Sequence, residues 1–115
     1  MFDFEKLTVY NKAKEFNKKV NTLLCSSKLD PTTNDQLRRA SFSILLNIAE
    51  GTGRRSSPDK RHFFVISRGS AFECVAIFDY LKEIGAITVK QFDLFYSVLE
   101  EISKMLYGLI KSLSK

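Results

Sequence analysis

Apolar residues return along this chain at intervals of three and four, and that spacing predicts helices. From about Glu5 to Ser26 the recurring positions are Val9, Ala13, Phe16, Val20, Leu23 and Leu24. Lys12, Lys14, Glu15, Lys18 and Lys19 occupy the other faces, so the first helix presents one side to a core and the rest to water. "SSKLDPTTND" interrupts the pattern, with Pro31 as punctuation and Thr33 or Asn34 as N-cap of the next helix. That second helix is expected from about Asp35 to Gly51, with Leu37, Ala40, Ile44 and Ile48 as its core stripe and Gly51 and Gly53 as its stop. Beside that stripe Arg39, Ser43, Asn47, Glu50 and Arg54 recur at the same spacing, forming a polar flank if the helix reaches Arg54.

The third helix carries a strong start signal: Ser57 as N-cap, Pro58 at the first helical position and Asp59 against the dipole. It should run to about Ile84 and stop at Gly85. Phe63, Ile66, Ser70, Cys74, Ile77, Leu81 and Ile84 form one stripe, which Phe64, Ala71, Val75 and Phe78 widen into a broad face that suits burial on more than one side. Thr88 and Gln91 form a capping box for a fourth helix reaching about Leu113. There Phe92, Leu99, Leu106 and Leu113 repeat every seven residues with Phe95, Ile102 and Leu109 between them, the a/d pattern of a bundle seam. Tyr96, Tyr107 and Ile110 flank the seam and are placed for a second contact.

"KEIGAIT" is long enough only to reverse the chain, so the last two helices should be antiparallel neighbours. The expected fold is all-α: an antiparallel up-down-up-down four-helix bundle, one domain over residues 1–115. Helices of about 17 to 27 residues would span roughly 25 to 40 Å, the third being the longest. Two prolines, five glycines and no tryptophan leave too few turn signals for a sandwich or barrel. No apolar run is long enough for a membrane span, and "MFDFEKLTVYNKAKEF" has charges where a signal peptide needs an apolar core, so a cytoplasmic location is expected. Cys25 and Cys74 fall at apolar helical positions and are expected to be buried free thiols; with His62 as the single histidine, no recognised zinc spacing exists.

Charge changes the picture. From Gln36 to Arg68 there are seven basic residues against two acids, a net of +5, while the remainder of the chain sums to zero. All six arginines, Arg38, Arg39, Arg54, Arg55, Arg61 and Arg68, lie inside that window. Arginine suits planar, bidentate contact with phosphate or carboxylate, so the segregation says more than the total. Arg54, Arg55, Lys60 and Arg61 surround the third helix's N-terminus, whose free N–H groups and dipole also favour anions. A phosphate backbone is the natural ligand of that combination; the alternative is a solvated turn whose charge keeps the protein soluble. No RRM, KH, zinc-finger or helix-turn-helix signature points to base-specific reading.

"QLRRASFSILLNIAEGTGRRS" and "FFVISRGSAFE", together with "FEKLTVYNKA" and "LEEISKMLYGLIKSL", resemble the four-helix-bundle family of 23S rRNA intervening-sequence proteins, also labelled S23 ribosomal protein. The likeness covers nearly the whole chain and is carried by NIAEG-x-GR and RGS-x-x-E in the family's order. That family is similar to accessory proteins of diversity-generating retroelements, so the resemblance implies a homo-oligomer, pentameric in those relatives, that binds RNA or DNA and associates with a reverse transcriptase. Many relatives have a proline where this chain has Leu45, so a kink implied there does not carry over.

Asn47 and Glu50 have no positioned catalytic partner, and no enzyme or cofactor is expected. Glu50 is expected as a partly buried acceptor for Arg54 or Arg68, and Asn47 as the partner of a buried group at a helix contact. Gly69, costly by about 1 kcal/mol mid-helix, is expected to admit a close helix approach, with Arg68 paired to Glu50 or Glu73 beside Ser70. The expected function is therefore nucleic-acid binding through Arg38, Arg39, Arg54, Arg55, Lys60 and Arg61 by a homo-oligomer. The alternative is a scaffolding subunit that binds an acidic partner or a reverse transcriptase.

Overall fold

The computed structural model describes residues 1–114 and places helices where the apolar periodicity puts them. A short 3-10 turn, Asp3–Lys6, precedes α1 (Thr8–Ser26), α2 (Pro31–Thr52), α3 (Ser57–Glu83) and α4 (Val89–Ser112). Each helix packs on its sequence neighbours and α1 closes against α4, while the diagonal pairs α1/α3 and α2/α4 make no backbone approach. That is the up-down-up-down bundle, 43 × 25 × 22 Å, with no strand among the described residues.

The ends of the helices depart from expectation where capping chemistry overrides apolar spacing. Pro31 opens α2 instead of separating it from α1: Asp30 is the N-cap, accepting from the Thr33 N–H at 2.9 Å, and proline's missing donor costs nothing in the first turn. The Thr33 hydroxyl and N–H hold the Asp30 carboxyl below the usual carboxylate range. Ser56, not Ser57, caps α3 by accepting from Asp59 N–H at 3.2 Å. The α3 terminus is a Schellman motif. Gly85 takes φ +75°, Ala86 N–H donates to Leu81 O at 2.9 Å, and Gly85 N–H donates to Lys82 O at 3.1 Å. Thr88 and Gln91 form the expected capping box.

The core contains all six expected positions of α1, the Leu37, Ala40, Ile44 and Ile48 stripe of α2, and Leu99, Ile102 and Leu106 of α4. At its centre Phe78 and Phe95 stack at 4.4 Å, and Phe16 meets both edge-on, joining α1, α3 and α4. Each fully buried side chain of this kind is worth about 1.5–3 kcal/mol over its exposed state. The wide apolar face of α3 divides. Phe64, Ala71, Cys74, Phe78 and Leu81 are buried, but Ile66 and Ile84 from the expected stripe are exposed, as are Val65, Phe72 and Tyr80. Cys25 is also exposed, because it lies beside the α1 core stripe and not on it; only Cys74 is a buried thiol.

The α2/α3 contact is built from small residues. Fully buried Ser67 donates to Ile44 O at 2.8 Å, and Ser70 Oγ meets Ser43 Oγ at 2.8 Å. Gly51 is buried, and a Cβ on it would stand 2.8 Å from Phe64 Cε1 and 3.3 Å from Lys60 O. Gly51 therefore lies inside the helix as a packing residue, with Gly53 as C-cap. The close approach expected at Gly69 is not there: Gly69 is exposed, with open space around any added Cβ.

The two glycines should respond oppositely to alanine. Alanine improves helix propensity by about 1 kcal/mol at either site. At Gly51 it meets a buried ring, and overpacking of that kind costs about 1–3 kcal/mol. Gly51→Ala is expected to lower Tm and Gly69→Ala to raise it, by roughly 4 °C each, in thermal circular-dichroism melts.

Candidate nucleic-acid interface

Chain reversal between α2 and α3 sets the position of the basic residues. Because Gly51 seats α2 against Phe64, the Gly53–Ser56 turn is short, and Arg54, Arg55, Lys60 and Arg61 gather at one end of the bundle. Their side chains are held differently. Arg54 pairs with Glu50 at 3.1 Å and lies 4.6 Å over the Phe63 ring, keeping its fork at the surface. Lys60 Nζ donates to Thr52 O at 3.0 Å, satisfying a free carbonyl at the end of α2. Arg61 reaches across to the chain just past α4, its Nε donating to Ser114 Oγ at 2.8 Å. Arg55 is exposed and makes no ion pair among the described residues. His62 is exposed and sets its ring edge-on to Phe63.

Arg38 and Arg39 belong elsewhere. Both pair with Asp35, at 2.9 and 3.1 Å, and they precede Arg54 by four turns of α2, roughly 22–24 Å. A single anionic strand lying on the turn would have to run the length of the bundle to meet them.

The polar residues assigned to structure separate onto two sides of α3. Toward α2, Asn47 Nδ2 donates to Ser43 O and Ser43 Oγ at 2.9 and 3.0 Å, and Ser43 meets Ser70. Asn47 thus supports a helix contact at one remove, through its own helix. Glu73 accepts from Gln36 at 2.6 Å on the same side. Glu50 is exposed, not partly buried; the end of α2 turns it outward, and its ion partner is Arg54, one of the two expected. Arg68 pairs with neither Glu50 nor Glu73. Two residues turn a helix by about 200°, so while Ser70 faces α2, Arg68 faces α4. There its Nε donates to Ser103 O at 3.2 Å, and its guanidinium lies 4.8 Å from the Phe72 ring and 5.3 Å from Tyr107.

The partners of the arginines on α4 and just past it, Ser103, Tyr107 and Ser114, carry no site signal of their own in the sequence. Ser103 and Tyr107, four apart, share one face of α4, a pattern hidden by the stronger apolar seam beside it.

Reactive groups are few. Among the described residues no three His, Cys, Asp or Glu side chains gather as metal ligands, and no helix is long and apolar enough to cross a membrane. The Cys74 thiol is pushed up to about 12, chiefly by burial and further by the negative charge of Glu73.

These features define a helical bundle with a cationic reversal at one end. The chain belongs to the 23S rRNA-intervening sequence protein family, whose profile matches residues 5–108. A crystal structure of a protein of unknown function from the S23 ribosomal protein family of Bacteroides thetaiotaomicron VPI-5482 is similar, with 25% identity and a TM-score of 0.85 over 90% of this chain and 99% of that one. No curated protein matches the chain significantly.

In the native protein at pH 8, one thiol, Cys25, should react promptly with a disulfide reagent, and Cys74 should react only on unfolding. A thiol whose folded pKa is raised binds its proton longer folded than unfolded, so its contribution to stability falls as pH rises from about 9 toward 12. Cys74→Ala should lose less denaturation free energy between pH 8 and 10 than the parent protein, measured by urea titration.

Proposed function

We propose that this protein is a non-enzymatic, homo-oligomeric nucleic-acid-binding protein that contacts RNA or DNA phosphates through the turn from α2 to α3. The observation that carries the reading is the convergence of Arg54, Arg55, Lys60 and Arg61 at one end of the bundle, around the positive dipole end of α3. Their intramolecular contacts use one face of each cation and leave further donors toward solvent; Arg55 is wholly available. Such contacts position a backbone without reading sequence, so binding should be largely sequence-independent and salt-sensitive. Arg38 and Arg39 enter only as a secondary contact, since Asp35 offsets them and they lie far along α2.

Self-association supplies avidity that one small patch lacks. Leu46 on α2 and Ile66, Tyr80 and Ile84 on α3 leave exposed apolar surface, which marks a contact face when it recurs along one side of a bundle. Copies joined through this face would repeat the cationic turn around an assembly, five-fold if the retroelement accessory proteins are the guide. A second reading, a scaffold for an acidic protein partner, draws on the same apolar face.

Affinity for a duplex and a single strand across a salt series tests the proposal. The Arg54→Ala/Arg55→Ala/Arg61→Ala variant should lose at least tenfold in affinity near 0.1 M salt and about 2–3 units of log–log salt slope. Absence of binding at low salt, or a variant that binds like the parent, would remove this reading. A partner protein retained through nuclease treatment would favour the scaffold, and a monomer in light scattering would exclude the assembly.

A further inference from the structure

Between α3 and α4 runs an open groove of about 510 Å³, farther along the bundle than the cationic turn. Arg68 and Lys104 line it, and toward the cationic turn the two helices continue with further cations in a repeat. Arg61 and Arg68 stand seven residues apart on α3, and Lys104 and Lys111 stand seven apart on α4. The antiparallel register is given by three contacts, Arg61 with Ser114 and Arg68 with both Ser103 and Tyr107. In that register Arg61 lies near Lys111 and Arg68 near Lys104, the two pairs about 10 Å apart along the helices at 1.5 Å per residue.

Exposed aromatic rings stand beside the inner pair. Phe72 and Tyr107 flank the Arg68 guanidinium and are 56% and 53% exposed; Tyr96, 42% exposed, lines the groove farther along. Rings this exposed contribute little to the core, and Arg68 covers only part of Phe72 and Tyr107. Arg68 uses only Nε within the chain, so its terminal nitrogens are without a hydrogen-bond partner among the described residues. Beyond Lys104 the charge reverses, with Asp79 and Glu100 on the two walls. The positive end is therefore the one toward the cationic turn, and Arg61 belongs to both surfaces.

We propose that the α3/α4 groove binds single-stranded nucleic acid, with backbone phosphates on Arg61, Arg68, Lys104 and Lys111 and unpaired bases stacked on Phe72 and Tyr107. Cations on both helices with exposed rings beside the inner pair suit a strand that carries phosphates next to flat apolar bases, and base stacking on aromatic side chains tolerates any sequence. A duplex has its bases already stacked and cannot use the rings. An acidic peptide could meet the cations but has no reason to require the aromatic series. This inference rests on the nucleic-acid reading of the cationic turn and adds to it a second surface with a different preference.

The probe is a ten-nucleotide oligoadenylate RNA carrying one 2-aminopurine, compared with its duplex; the chain has no tryptophan to obscure the signal. The single strand should bind at least tenfold tighter than the duplex and show a fluorescence change on stacking. Phe72→Ala/Tyr107→Ala should lose roughly 10- to 100-fold for the single strand and less than twofold for the duplex, by the usual cost of removing a stacking ring. Lys104→Gln/Lys111→Gln, at exposed positions that do not test folding, should lower single-strand affinity and its salt slope by about 1–2 units.

Equal affinity for both probes, with binding retained, would overturn the groove while leaving the cationic turn as the binding surface. No binding of either probe at low salt would overturn both. Polyglutamate binding as tight as the oligonucleotide, or a ring variant that changes the oligomeric state, would assign the groove to protein instead.

Discussion

The close seat of α2 on α3 is the constraint on which the rest of the molecule depends. It is made by what is missing: no side chain at Gly51, where Phe64 occupies the space, and only hydroxyls at Ser43, Ser67 and Ser70. Small residues let the backbones approach, and the hydroxyls then satisfy carbonyl and hydroxyl oxygens in a contact that admits little water. The short reversal into α3 has no freedom to carry its arginines away from that helix's N-terminus. Framework and charge are therefore adjacent for a mechanical reason, with the boundary between them at Gly51–Gly53.

The polar residues of the NIAEG and RGS segments belong to that framework more than to any chemistry. Asn47 holds Ser43, Ser43 meets Ser70, and Glu50 keeps Arg54 in place from the surface. The exposed ion pairs are worth little in stability, since water competes for each partner. Their effect is orientation: a guanidinium tethered by one face presents the other in a narrower range of positions than a free one. The same holds for Arg68, which α4 anchors through a backbone carbonyl and which the Phe72 and Tyr107 rings flank.

Surface chemistry divides the bundle into unlike sides. One end is cationic, the α2/α3 side leaves apolar surface exposed, and the α3/α4 side sets exposed rings beside Arg68 and Lys104 before its charge reverses. Both outer sides are organised by α3, whose apolar residues exceed what one core can bury. Phe78 and Leu81 stabilise the fold; Phe72 and Tyr80, on the same helix, do not.

Much of the architecture was legible in the amino-acid order alone. Three- and four-residue spacing located four helices and their core stripes, because a helix must bury one face wherever it packs. The Thr88 capping box and the Gly85 stop were equally plain, being local hydrogen-bond chemistry. The clustering of arginine was readable too. What needed the tertiary structure was every question of facing. Ser70 and Arg68 differ by two positions, yet one meets α2 and the other α4, and no sequence spacing says which neighbour lies on which side. Gly51 and Gly69 look alike as glycines in helices, but only the placement of Phe64 makes one a contact and leaves the other open. Local order determines which residues share a face; the packing of the other helices decides what that face meets.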